Sequence, residues 1–187
     1  MKQRRDRARE LIAHIHAADP AGAEAAYAER ILVWLQRLLG EVDECAELAG
    51  RCQHLERWVL PRDSYPADRP GYLAWRKAVH ARQGERAAEL LQQAGYEPDV
   101  TQRIDDLVAK RVPRSDALSQ ALEDAACLDF LGYQLRDFAA AHPDYDDERW
   151  LRILRRSAAK MSPAAIALIG ELDLPERIAG LLARLGD

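Results

Sequence analysis

The chain is poor in β-branched residues, has only three cysteines in 187 residues and has no long hydrophobic run. Little Val, Ile and Thr against abundant Ala and Leu disfavours a sheet and favours helix. Cys45, Cys52 and Cys127 are odd in number and lack CxxC spacing, which excludes a disulfide framework and a zinc knuckle. They read as reduced core thiols of a cytoplasmic protein. A bilayer span needs about 20 apolar residues, and no stretch approaches that, so no membrane partner is expected. The opening "MKQRRDRARELIAHIH" carries Asp6 and Glu10 and lacks the apolar core of a signal peptide. A basic surplus is also missing. The net charge is −4 and the pI is near 5.8, which argues against a sequence-independent nucleic-acid binder.

What is present is a globular composition, 48% hydrophobic and 31% charged, rather than a disordered one. Apolar residues recur at spacings of three and four, and nothing alternates as a strand would. The spacing predicts helices over 4–18, 23–39, 42–57, 71–94, 98–111 and 116–141. Others start at Asp146 or Asp147, at Pro163 behind a Ser162 cap, and near Pro175. Ser115 is the expected cap of the helix over 116–141. Val59–Gly71 is excluded from helix because Pro61, Pro66 and Pro70 each remove a donor and restrict the residue before. The expected fold is all-α, a single-domain bundle of about eight helices over residues 1–187.

Several polar residues fall on apolar faces. At 100° per residue, Trp75, Val79, Ala87, Leu90 and Leu91 define the inward arc of the helix over 71–94. Tyr72, Arg76, His80 and Gln83 fall within it. In "ALSQALEDAACLDFLG", Asp124 and Asp129 fall within the apolar arc, and Glu123 points away. An inward arginine needs a carboxylate, a ligand or water, so Arg76 and Asp124 are either an ion pair or two walls of a polar cavity with His80. The stretch from Arg51 to His80 is locally basic. It holds Trp58, Tyr65, Tyr72 and Trp75, a third of the chain's four tryptophans, six tyrosines and two phenylalanines. Its proline segment reads as an ordered loop pinned by Trp58 and Tyr65, or as an anion-binding lid with Arg57, Arg62 or Arg69 forking onto phosphate.

The pattern "YAERILVWL", "QHLERWVLPRDSYPADRPGYLAWR" and "LEDAACLDFL" resembles an uncharacterised family, domain of unknown function 4202, from about Asp19 to Met161. That resemblance implies no activity. More distantly, "VHARQGERAAELLQQAGY", "IDDLVAK" and "LEDAACLDFLG" are similar to the second half of HD-domain metal phosphohydrolases. Those are all-α enzymes in which His and Asp ligands hold divalent metal that generates hydroxide. On that resemblance the family's first His falls on Tyr27, its His-Asp pair on Gln53–His54 and a later His on Lys110. His80 and Asp124 match, and Ala126 replaces a ligand Asp. A conventional metal centre is therefore not expected, although His54, His80 and Asp124 could hold a divalent ion in a rearranged site.

The resulting expectation is a protein that binds, and hydrolyses, a phosphorylated small molecule or nucleotide. His80, His54 and Asp124 form the catalytic set. Tyr27, Gln53, Arg57, Arg62, Arg69, Tyr72, Arg76 and Lys110 bind the anionic ligand. The alternative is a metal-free ligand sensor, or a protein or RNA interaction module marked by exposed Trp58 and Tyr65.

Overall fold

The computed structural model describes residues 2–184, and every regular element among them is helical. The chain divides into two compact units, Met1–Ser119 and Gln120–Asp187. The first holds α1 (Lys2–Ala17), α2 (Glu24–Leu39), α3 (Glu44–Arg51), α4 (Arg69–Gln93) and α5 (Pro98–Val108). The helix α6 (Ala117–Asp129) opens at the boundary. It is followed by α7 (Leu135–Ala141), α8 (Asp147–Ala158), α9 (Pro163–Leu168) and α10 (Glu176–Ala183).

In the first unit the expected arcs face inward. Ile31 and Leu35 of α2, Leu48 of α3, Leu91 of α4 and Ile104 and Leu107 of α5 are fully buried. The N-terminal helix is clasped by charge. The buried Glu47 carboxylate of α3 accepts from Arg5, from Arg9 at 2.7 and 2.8 Å, and from Arg51 at 3.0 Å. These hydrogen bonds overcome its burial and hold it down at about 2. α4 packs most extensively on α5. Gly95 ends it in the left-handed region, φ +88°, a backbone that side-chain-bearing residues rarely adopt.

In the second unit Trp150 of α8 is fully buried, with the Phe138 ring edge-on at 5.8 Å. Arg177 of α10 reaches Asp147 at the start of α8, 2.7 Å away. Asp146 caps α8 and Ser162 caps α9, as the sequence predicts.

Four boundaries differ from expectation. The helix over 42–57 stops at Arg51, and the chain turns through Cys52–Glu56. Its second half is captured by a carboxylate from α2, described below. The helix expected from 71 starts at Arg69. Asp68 accepts from the Gly71 N–H, and Pro70 occupies the first turn, where its missing donor leaves no hydrogen bond unmade. The helix over 116–141 is interrupted by a π-helical turn at Phe130–Gln134, and it is capped by Asp116, which accepts from the Ser119 N–H, rather than by Ser115. This interruption helps raise the count to ten α-helices among the described residues.

Gly84 sets the approach of α4 to α5. A Cβ there would lie 2.2 Å from Asp105 Oδ1 and 2.7 Å from the Asp105 carbonyl oxygen. Gly84→Ala is therefore expected to lower stability by about 1–3 kcal/mol through overpacking. Gly180→Ala, where nothing lies within 4 Å, leaves stability unchanged or raised. Urea unfolding of the two variants checks this, and equal stabilities would contradict the close approach.

Candidate functional site

The first unit gathers a cationic cluster from four places in the chain. α2 supplies Tyr27 and Arg30. The turn after α3 supplies Gln53, His54 and Arg57. α4 supplies Arg76 and His80, and Lys110 follows the end of α5.

The turn after α3 is fixed by Glu24. This residue is buried in the first turn of α2, and its carboxylate accepts the backbone N–H groups of Glu56 at 3.1 Å and Arg57 at 2.8 Å. Burial pushes the Glu24 carboxyl up to about 7, against the pull of those two hydrogen bonds. Glu56 between them takes a left-handed backbone, φ 51°. Its own carboxylate turns to Arg82, 2.9 Å away, and Arg86, 3.3 Å away.

One turn along α2 from Glu24, the Tyr27 ring lies flat on His54, with centroids 3.6 Å apart and planes 3° apart. Gln53 is buried. It donates to the Ala49 carbonyl at 3.0 Å and accepts from Lys110 Nζ at 2.7 Å. Lys110 reaches it from a left-handed backbone, φ 59°, at the position after α5 that usually falls to glycine. Glu56 and Lys110 are the two non-glycine residues with positive φ among those described; Lys110 belongs to this cluster and Glu56 directly precedes its Arg57. Such backbone is costly and concentrates at functional sites.

The electrostatics follow from the placement. Burial holds the His54 imidazole well below its usual value, and the charges of Arg57, Lys110, His80 and Arg30 push it further down. His54 is therefore neutral near pH 7. Burial also draws Arg57 below its ordinary value, and the Arg76 charge adds to that. The Arg57 guanidinium sits 4.8 Å over the Trp75 ring, and Arg76 sits 5.9 Å from the Tyr72 ring. Neither forms an ion pair with a described carboxylate of this unit.

The proline segment lies across the start of α4. Arg62 donates to the Tyr65 carbonyl at 2.9 Å and the Pro66 carbonyl at 2.7 Å, and Trp75 Nε1 donates to the Leu60 carbonyl at 2.8 Å. Arg62 thus satisfies the backbone of its own loop. Gly71 lets Pro66 approach, since a Cβ there would lie 2.3 Å from the Pro66 oxygen. Trp58 and Tyr65 are half-buried, and Arg69 is exposed.

Of the residues singled out in the sequence, Tyr27, Gln53, His54, Arg57, Arg76, His80 and Lys110 belong to one cluster. Tyr72 does not point inward. It is 42% exposed at the edge of the cluster, because the first turn of α4 projects past the core. Asp124 lies in the second unit, buried. It accepts from Gln120 Nε2 at 2.9 Å and from the Ser162 N–H at 2.8 Å, which ties α6 to the start of α9. Asp129 is likewise buried and accepts from Gln134 at 2.7 Å. Glu123 is not solvated. It is half-buried and pairs with Lys160 at 3.4 Å. Sequence reasoning passed over Glu24 and Arg30. Their signal was weak: each lies about one helical turn from Tyr27 on α2, but both types are ordinary on a helix surface.

No group of three His, Cys, Asp or Glu side chains among the described residues is placed to share a metal ion. The charges around His54 are cationic and would repel one. The residues present do not fit a divalent metal.

Fold and cluster together define an all-helical protein with a half-buried cationic site. A family model described as a domain of unknown function (DUF4202) matches residues 6–182, and the chain belongs to that family. No curated protein and no solved structure matches it. Among the described residues no helix is long and apolar enough to cross a membrane.

Glu24 gives a pH test with a definite sign. Its carboxyl holds a proton more tightly folded than unfolded, so its contribution is full below about 4.5 and is lost as pH rises through about 7. A shift of that size bounds the loss at roughly 3 kcal/mol. Glu24→Gln removes this dependence but keeps one acceptor for two N–H groups. The variant is expected to be less stable than wild type at acidic pH, and the gap is expected to shrink as pH passes neutrality. His16 and His54, both lowered, lose stability toward acid in both proteins and cancel in the comparison. A gap that stays constant from acid to mild alkali in urea titrations would contradict a buried, proton-holding Glu24.

Proposed function

We propose that the first unit binds the phosphate of a small phosphorylated molecule, without metal, at the cluster of His54, Arg57, Arg76, His80 and Lys110. The observation that carries this is the pair Arg57 and Arg76, half-buried, whose guanidinium groups form no ion pair with a described carboxylate of their unit. A desolvated guanidinium without a counter-charge is costly, and an anion relieves it. Phosphate is the anion best matched to forked arginine donors. The left-handed backbone at Lys110 supports the same reading, because such strain concentrates at functional sites. The distant resemblance of the sequence to HD-domain enzymes, if it reflects kinship, supports a phosphate ligand.

Hydrolysis of the bound ester is the second reading, favoured by the neutral state of His54. A neutral imidazole can take a proton from an attacking water, and His80 can give one to the leaving oxygen. Half-buried Trp58 and Tyr65 offer little surface to a protein or RNA partner.

Calorimetric titration of the metal-free protein with a panel of phosphomonoesters at low ionic strength tests the binding. At least one is expected to bind, and Arg57→Met is expected to weaken it roughly tenfold or more, as loss of a charge-assisted hydrogen bond would. Stability is unchanged or raised, because no ion pair is broken and a desolvated charge is removed. Release of inorganic phosphate, abolished in His54→Ala, would establish turnover. A silent panel, or binding indifferent to Arg57→Met, would overturn the proposal.

A further inference from the structure

Gln83 is 1% exposed in the middle of α4, and neither its amide nitrogen nor its amide oxygen has a hydrogen-bond partner in the protein. A buried amide left in this state costs stability. Gln83 is therefore poorly explained as a packing residue, since methionine or leucine would fill the same volume without the penalty.

Its position gives the penalty a use. At 100° per residue, Gln83 falls about 20° from Arg76 and about 60° from His80 around the helix, and about 4.5 Å further along the axis than His80. The polar stripe on α4 thus runs from exposed Tyr72, through half-buried Arg76 and His80, to fully buried Gln83. The next residue, Gly84, touches Asp105 and Ala109 at the end of α5. Lys110 follows directly and reaches Gln53, beside His54. The turn of α4 that carries Gln83, the end of α5 and the turn after α3 therefore meet in one region of the first unit.

We infer that Gln83 is a specificity-determining residue whose amide hydrogen-bonds a hydroxyl on the body of the phosphate ester held by His54, Arg57, His80 and Lys110. A hydroxyl is the matching group because it offers a donor and an acceptor at once, as the amide does. The ligand class is then a phosphorylated polyol or sugar, with a hydroxyl within one helical turn's reach of the phosphate. An apolar phosphate ester would leave the amide unpaired, and sites of this kind reject analogues lacking the group they were built to bond. This inference rests on the phosphate-binding function proposed above.

The test uses the full chain and two probes, ribose 5-phosphate and phenyl phosphate, titrated calorimetrically into wild type, Gln83→Met and Arg57→Met. Wild type is expected to prefer ribose 5-phosphate. Gln83→Met is expected to weaken ribose 5-phosphate about tenfold, leave phenyl phosphate within about twofold, and raise the thermal midpoint, because an unpaired amide is removed. A purely structural Gln83 would not couple a gain in stability to a loss of preference between ligands. Gln83→Asn, which withdraws the amide by one methylene, is expected to lose the same preference, so the ratio can be read even if one variant folds poorly. The inference is overturned if the preference is absent in wild type or survives both substitutions. Loss of both probes in Arg57→Met but no effect of Gln83→Met would overturn it while leaving phosphate binding standing. Failure of wild type to bind either probe would overturn both.

Discussion

Glu24 accepts two backbone N–H groups from the turn after α3, and the cationic cluster depends on that pair of hydrogen bonds. Without them, the sequence from Asp43 to Trp58 has every reason to continue as a helix, with His54 on its outer face. With them, the chain turns over at Glu56, His54 swings onto the Tyr27 ring, and Arg57 is drawn over Trp75. The burial that lifts Glu24 toward neutrality is the cost of this arrangement. A local helix preference yields to a tertiary contact because each residue's propensity is weak beside a captured pair of buried donors.

Charge is sorted around this turn. Two carboxylates of the same unit are engaged with other arginines. Glu56 faces Arg82 and Arg86, and Glu47 faces Arg5, Arg9 and Arg51. Arg57 and Arg76 are left with aromatic neighbours in place of acids. An aromatic face steadies a guanidinium without satisfying its forked donors. In the binding function proposed, Arg57 and Arg76 would take up an anion without first having to break a salt bridge.

Much of the fold was legible in the residues. Three- and four-residue spacing placed the helices, and the inward arc of α4 is buried at Trp75, Val79, Ala87, Leu90 and Leu91 as the period requires. Caps at Asp146 and Ser162 were readable because side-chain acceptors before a helix have a fixed register. What escaped was tertiary in origin. The turn after α3 is set by a carboxylate more than thirty positions away from the donors it captures. The left-handed backbone at Lys110 breaks the rule that glycine fills such positions, so no residue pattern announced it. Tyr72 shares the angular position of core residues yet emerges at the surface, because a helical wheel says nothing of where a helix leaves the core. Of the cluster, Arg76 and His80 were visible from helical angles. Lys110 was visible only through family resemblance. Asp124, equally visible, serves the second unit's own hydrogen bonds to Gln120 and Ser162.

The charges of Arg57, Lys110, His80 and Arg30 all press on the His54 imidazole in the free protein, and the proposed anion would offset them. Titration of the His54 imidazole by nuclear magnetic resonance, with and without a bound phosphate ester, tests this most directly. The imidazole is expected to stay neutral well below its usual range in the free protein and to titrate at higher pH once the anion is bound, because the anion cancels the field of Arg57, Lys110, His80 and Arg30. An ordinary titration that phosphate esters leave unmoved would contradict it.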